Sequence, residues 1–242
     1  MSVDLAILIV AIGLGAMLQV GVGIGFSILA GPPMMILLGT STAVPILLLL
    51  NTIVSAVATD RQVLKADRQT IRTAIIGCLA GVVAGLVVYP WLSEAFVLAL
   101  TASLLLTGLV TTLLPLRRAI GTAGFSTVSG LSGLVTVWAA TPGPLMVFGL
   151  IAKGRPAKEV AKLVQPIALV AYGVAFLLHS LSDTQAFAHS PQLWGFVALT
   201  LIGSLLGRAV GPHLPQTLVT TAIRVVSLIA CGVLFHRAFA TA

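Results

Sequence analysis

The sequence predicts an all-α polytopic membrane protein made of two inverted repeats, each a broken-helix hairpin plus three full transmembrane helices, roughly 8–10 membrane segments in all. Three observations lead there. The 242 residues are 58% hydrophobic and only 8% charged, with a mean hydropathy of +1.14. A soluble domain carries roughly 25% charged residues. The apolar residues fall into runs of spanning length, about 20 residues or more. The order of those runs recurs once, at half the chain.

The first half holds run A at about 4–38, B at 43–59, C at 71–90 and D at 94–114. The second holds A′ at about 119–151, B′ at 158–180, C′ at 192–211 and D′ at 217–239. We therefore divide one membrane domain into repeats 1–116 and 117–242. Three matches in the same order support the repeat. Pro32-Pro33-Met34-Met35 answers Gly143-Pro144-Leu145-Met146. Asn51 follows Ala43 by eight residues, and Gln165 follows Ala157 by eight, so each B run carries one amide at the same place. Gly77, Gly81 and Gly85 match Gly203, Gly207 and Gly211. A glycine at every fourth position makes a flat face that a second backbone can approach closely. The glycine rows of C and C′ also offer a route to a homo-oligomer.

Charge sets the orientation. Twelve of the thirteen Lys and Arg residues lie in or beside four connectors. Arg61, Lys65, Arg68 and Arg72 lie between B and C, and Arg117 and Arg118 between D and A′. Lys153, Arg155, Lys158 and Lys162 lie between A′ and B′, and Arg208 and Arg224 flank the C′–D′ turn. The positive-inside rule places all four connectors in the cytoplasm. The connectors near 90–94 and 180–191 have no Lys or Arg and face outward, with Trp91 and Trp194 at the level of an outer aromatic belt. Arg237 is the exception. The net charge of +7 is thus loop charge, and a nucleic-acid partner is not expected. Cys78 and Cys231 lie within apolar runs and imply no disulfide. The N-terminus lacks the basic start of a signal peptide and carries Asp4 instead.

The connectors on both sides of A′ are cytoplasmic, so A′ cannot cross an odd number of times. It is too short for two full helices. It is expected to enter, break near Ala140-Thr141-Pro142-Gly143-Pro144, and return. By the same count A dips in from outside and breaks at Gly21-Val22-Gly23-Ile24-Gly25, with Pro32 and Pro33 in the first turn of the helix that follows. The competing parse makes A and A′ single long tilted helices and leaves one basic connector on the wrong side. Breakers inside a bilayer are costly unless they are packed in protein or line a cavity. A helix that starts there points free N–H groups at the membrane centre, which suits an anion. The plainer reading is that these glycines and prolines only kink packed helices.

The stretch Gly21–Gly39, GVGIGFSILAGPPMMILLG, resembles the first-repeat motif of the sulfite exporter TauE/SafE family of membrane transporters. Residues 142–156, PGPLMVFGLIAKGRP, are similar to that family's second-repeat motif, and the paired glycine rows and Arg224 before a glycine-containing last helix fit as well. The denser glycine version of the first motif is here Gly21-Val22-Gly23-Ile24-Gly25, and Leu145 stands where a second proline is common. The resemblance implies movement of sulfur-containing anions, such as sulfite, sulfoacetate or other sulfonates, across a bacterial inner membrane.

The residues point to an anion on separate grounds. Asp60, Asp67, Glu94, Glu159 and Asp183 all sit in or beside connectors, so no carboxylate is available deep in a span for a cation. His179 reads as interfacial, at the outer end of B′. Gly130-Leu131-Ser132-Gly133 matches the GxSG of rhomboid proteases, but no histidine base lies within the membrane beside it, so small-residue packing explains it better and no enzyme is expected. No cofactor and no metal site is expected. The candidate site lies between the hairpin tips and the B helices. Gly21, Gly23, Gly25 and Ser27 would offer donors from the first tip, Thr141, Gly143 and Pro144 would shape the second, and Asn51 and Gln165 would donate amide N–H groups. Gln19, Pro32 and Thr136 are secondary choices, and Trp138 is either an apolar wall or packing. The partners are a small anion and the bilayer. The alternatives are a small-solute exporter outside the sulfur-anion class and a non-transporting membrane scaffold. The scaffold predicts no central polar pair, and either amide would also serve as a plain interhelical hydrogen bond.

Overall fold

A computed structural model describes residues 3–23, 25–113, 119–141, 143–182 and 192–241. Ile24, Arg117, Arg118, Pro142, Asp183 and His189 lie outside the described residues. All regular structure described is helical. Run A is two helices, α1 (Val3–Val22) and α2 (Phe26–Leu38), and run B is α3 (Thr40–Ala58). A short α4 (Arg61–Ala66) precedes α5 (Arg68–Val88), which ends in a 3-10 turn at Tyr89–Trp91, and α6 (Glu94–Leu113) completes the half. Run A′ is α7 (Thr122–Ala139) and α8 (Gly143–Ala152). Then come α9 (Ala157–Ser182), α10 (Leu193–Val210) and α11 (Gln216–Thr241). Seven of the described helices are long and apolar enough to cross a membrane: α1, α3, α5, α6, α9, α10 and α11. The chain is a polytopic membrane protein.

Both A runs fold back on themselves. In A′ the Ile120 N–H donates to the Ala152 carbonyl at 2.9 Å, which closes the base of the α7–α8 hairpin. Lys153 Nζ stands 4.6 Å from the Phe125 ring centroid at the same base. In A the chain turns at Gly23–Gly25, where φ is +93° and +147°. Gly25 then lies beside Leu18, and Phe26 beside Gly15, so α2 retraces α1. The single-long-helix parse is excluded for both. The first break falls earlier than its prolines suggested. Pro32 and Pro33 sit inside α2, and Pro32 is buried there, so glycine alone makes the turn. Pro144, second residue of α8, occupies the first-turn position expected of Pro32.

The halves interlock. α5 packs on α7, α1 on α10, α3 on α9 and α6 on α11, so each main contact joins a run of one half to a run of the other. The glycine rows make the first two. Successive glycines of α5 meet α7 in parallel: a Cβ on Gly77 would lie 2.8 Å from the Ser126 carbonyl, Gly81 faces Gly130, and Gly85 faces Leu134. On α10, Gly203, Gly207 and Gly211 meet Gly13, Met17 and Gly21 of α1 in the same order. Both rows are therefore filled within one chain, and a second copy would have to use another surface. The GxSG serine belongs to this packing: Ser132 is fully buried and Gly133 lies against the Cys78 carbonyl.

At the end that carries the basic connectors, Arg155 Nη2 pairs with Asp67 Oδ2 at 2.6 Å and donates to Thr70 Oγ1 at 3.1 Å, tying the connectors of the two halves. Arg208 Nη2 donates to the Val57 carbonyl at 2.8 Å, near the end of α3. The Asp60 carboxylate caps α4, a helix that the apolar runs did not announce. Trp91 and Trp194 are 76% and 78% exposed, as a lipid-headgroup belt requires. His179 stands in the last turn of α9 and is buried against protein there, with Nε2 3.2 Å from the Val137 carbonyl and its ring edge-on to Tyr89.

Gly81→Ala should lower the thermal midpoint of the purified protein, because its Cβ would overlap the Gly130 backbone and overpacking costs about 1–3 kcal/mol. Gly232→Ala, with open space around it, should leave the midpoint unchanged or raise it. Differential scanning fluorimetry on both variants checks this.

Candidate functional site

A break inside a bilayer strands the last carbonyls of one helix and the first N–H groups of the next. At the first tip two glutamines answer this. Gln165 Nε2, from α9, donates to the Gly23 carbonyl at 3.0 Å. The Phe26 N–H, first of α2, donates to Gln19 Oε1 at 3.2 Å. The two amides join each other, Gln19 Nε2 donating to Gln165 Oε1 at 3.3 Å. Gln165 is 2% exposed.

The second tip is held by hydroxyls. Ala140 ends α7 with φ +49°, in the left-handed region. Its carbonyl accepts from Ser27 Oγ at 3.0 Å and Tyr172 Oη at 3.4 Å. Ser27 Oγ also lies 3.1 Å from Asn51 Oδ1 and 3.3 Å from Tyr172 Oη. Asn51 Nδ2 is taken by the Leu47 carbonyl at 2.9 Å. One polar cluster thus joins α2, α3, α7 and α9.

Between the tips lies a cavity of about 150 Å³. Of the residues expected at the site, Gln19, Gly23, Gly25, Ser27, Thr141, Gly143 and Pro144 line it. The other five do not. Asn51 and Gln165 stand behind the tips and aim their amides at tip groups and at their own helix carbonyls. Gly21 packs on Gly207 and Gly211. Pro32 is buried in α2, and the buried Thr136 hydroxyl donates to the Ser132 carbonyl. Trp138 is packing: its Nε1 donates to the Gly85 carbonyl at 2.8 Å, and its ring meets Phe96 edge-on.

The rest of the wall was not anticipated. α6 supplies Leu105, Gly108, Leu109 and Thr111, with Gly108 allowing Pro144 to come close. α9 supplies Val164, Ala168 and Tyr172. α11 supplies Thr220, Ile223, Arg224 and Ser227. Arg224 is not a connector charge. It is the ninth residue of α11, about 12 Å along the helix. Among the described lining residues it alone carries a formal charge. Its signal was present in the sequence, since an ionisable residue inside an apolar run points to function, but its nearness to a basic turn made it look interfacial. Tyr172 was equally readable, seven residues after Gln165 and so on the same helix face.

The arrangement is an aliphatic chamber with one guanidinium and a few hydroxyls. An Arg fork binds oxyanions in a bidentate manner, and a hydroxyl donor adds to that. A family model described as Sulfite exporter TauE/SafE matches residues 7–234, nearly the whole chain. No curated protein and no solved structure matches it.

Gln165→Ala should remove the shorter of two donors to the Gly23 carbonyl, leaving only Gln19 Nε2 at 3.4 Å, and should also take away the acceptor that Gln19 uses, at a cost of about 1 kcal/mol. The expected outcome is a lower folded yield and thermal midpoint, read by size-exclusion fluorescence and a melt.

Proposed function

The chain belongs to the sulfite exporter TauE/SafE family, a family of membrane transporters, and from that premise we propose that it exports small sulfur-containing anions across the inner membrane of a bacterium. Sulfite, sulfoacetate and other organosulfonates make up the class. The observation that carries this reading is Arg224 on the wall of a cavity with no carboxylate among its described lining residues. A half-buried guanidinium on a wall of otherwise uncharged described residues favours anionic cargo. The aliphatic wall, including Val22, Ile28, Leu105 and Ile223, suits organic members of the class better than a bare inorganic ion.

Export follows from energetics. An anion leaving a cell that is negative inside gains about 2.3 kcal/mol per charge per 100 mV, enough to sustain an outward gradient of tens of fold with no coupling ion. Alternating access is the mechanism we assign. The reciprocal packing of α5 on α7 and α1 on α10 supports reading the halves as inverted repeats that rock about the cavity. Donors come from Arg224 and Ser27, while Thr141, whose hydroxyl donates to the Ala139 carbonyl, shapes the second tip.

Flux into proteoliposomes tests the reading against sulfite, sulfate, sulfoacetate, taurine, matched carboxylates and lysine. Sulfonate or sulfite flux is expected, and lysine flux alone would overturn it. Carboxylate flux without any sulfur anion would favour a small-solute exporter outside this class. Arg224→Gln should weaken anion affinity about 10- to 100-fold, the worth of a charged hydrogen bond of ~1.5–3 kcal/mol, with yield unchanged. Arg224→Lys, which keeps the charge but not the fork, should fall between.

A further inference from the structure

The cavity is one-sided. On α6, which runs inward from Glu94, it touches only residues 105–111. On α11, which runs outward from Gln216, it touches only residues 220–227. On α1 it touches Gln19 and Val22, in the last turn. With the basic connectors inside, every one of these positions lies in the cytoplasmic half of its helix. The outer limit of the cavity is Ser27, Thr141 and Tyr172. One helical turn outward of Tyr172, Ala175 is fully buried, as is Val137, and His179 beyond them is 4% exposed. The path to the outside is therefore closed at the Ser27–Asn51–Ala140–Tyr172 cluster.

That cluster has a simple proton count. Ser27 and Tyr172 bring one hydroxyl proton each. Asn51 Oδ1 and the Ala140 carbonyl bring none and can only accept. Two protons therefore serve two acceptors, and both donors stand on the cavity wall. Asn51 cannot supply a further donor, because Nδ2 is engaged by the Leu47 carbonyl. An anionic oxygen entering the cavity is a stronger acceptor than an amide or a peptide carbonyl, roughly twice as strong in a hydrogen bond.

We infer that Ser27 and Tyr172 are substrate-contacting residues whose hydroxyl protons also hold the outer seal, so that a bound anion takes those protons and frees the Ala140 tip from α2 and α9. This rests on the anion-transport reading above and names the residues that couple binding to opening. No bond is made or broken beyond hydrogen bonds. The coupling is differential, as a ligand-driven shift must be: the anion meets two donors when the seal is open and finds them occupied when it is closed.

The test uses the full chain with Cys78→Ala and Cys231→Ala, and Ala175→Cys as the reporter, in right-side-out membrane vesicles. A membrane-impermeant maleimide is added outside. In vesicles loaded with chloride the reporter should label slowly. Loading with sulfoacetate should speed labelling about tenfold, the population shift expected when about one net hydrogen bond is exchanged. Ser27→Ala with Tyr172→Phe should label at the fast rate whether or not sulfoacetate is present. Tyr172→Phe alone keeps the ring and its packing, and should lie between. Fast labelling in the variants, with a response to loaded malonate but not sulfoacetate in the parent, would uphold the seal and defeat the sulfur-anion reading. A double variant that elutes as folded protein yet stays as protected as the parent would overturn the inference. So would a parent that responds to neither anion.

Discussion

Backbone polarity inside hydrocarbon is the constraint that organises this protein. Each hairpin breaks a helix among packed apolar segments, and each backbone group left unsatisfied away from water costs several kcal/mol. The repairs come from side chains on other elements. Gln165 reaches from α9 to the first tip, and Ser27 and Tyr172 reach to the second. The cavity is what remains between two repaired breaks, so its position follows from where the repairs stand. The glycine rows serve the same end. By drawing α7 onto α5 and α1 onto α10 at backbone contact, they fix the long arm of each hairpin and leave the short arms, α2 and α8, to face the cavity.

The single charge is placed with similar economy. A guanidinium well inside an apolar helix is expensive, and such groups persist in membranes where they face a polar interior or a water-filled space. Arg224 stands two turns into α11 and on a cavity wall that also carries Thr220, Ser227 and Thr111. Among the described residues no other Lys or Arg lines this wall. A carrier for anions needs a cation that is available to cargo and also affordable when cargo is absent. A wall of hydroxyls beside the guanidinium meets both needs.

Much of this was legible in the sequence. The eight runs came from hydropathy and the two breaks from glycine and proline, while the fold-back of A′ came from counting basic connectors against crossings. Glycine spacing announced the close helix pairs, though not their partners: Gly77, Gly81 and Gly85 look the same whether they meet α7 or a second copy. The site was harder. Asn51 and Gln165 were visible as buried amides, but sequence does not say whether an amide faces a ligand or a stranded carbonyl. Arg224 and Tyr172 were missed for opposite reasons. One resembled a loop charge, and the other resembled ordinary aromatic packing. Pro32 misled because proline marks a helix start only where its predecessor is non-helical, and Gly31 continues α2.

The two breaks share a topology but divide the chemistry. At the first, Gly23 and Gly25 take backbone angles that L-residues rarely adopt, and a Cβ on Gly23 would come within 2.8 Å of the Ala161 side chain. That tip is wedged against α9 and clamped by amides. At the second, Ala140 adopts a left-handed angle without glycine, a conformation that costs on the order of 1–2 kcal/mol. Its carbonyl is turned toward hydroxyls belonging to α2 and α9. A strained residue persists only while its surroundings hold it. The first tip is therefore locked by its own shape, whereas the second depends on contacts that a competing acceptor can take away. In the proposed cycle, that asymmetry makes the Ala140 tip the element to move and the glycine tip the element that stays fixed.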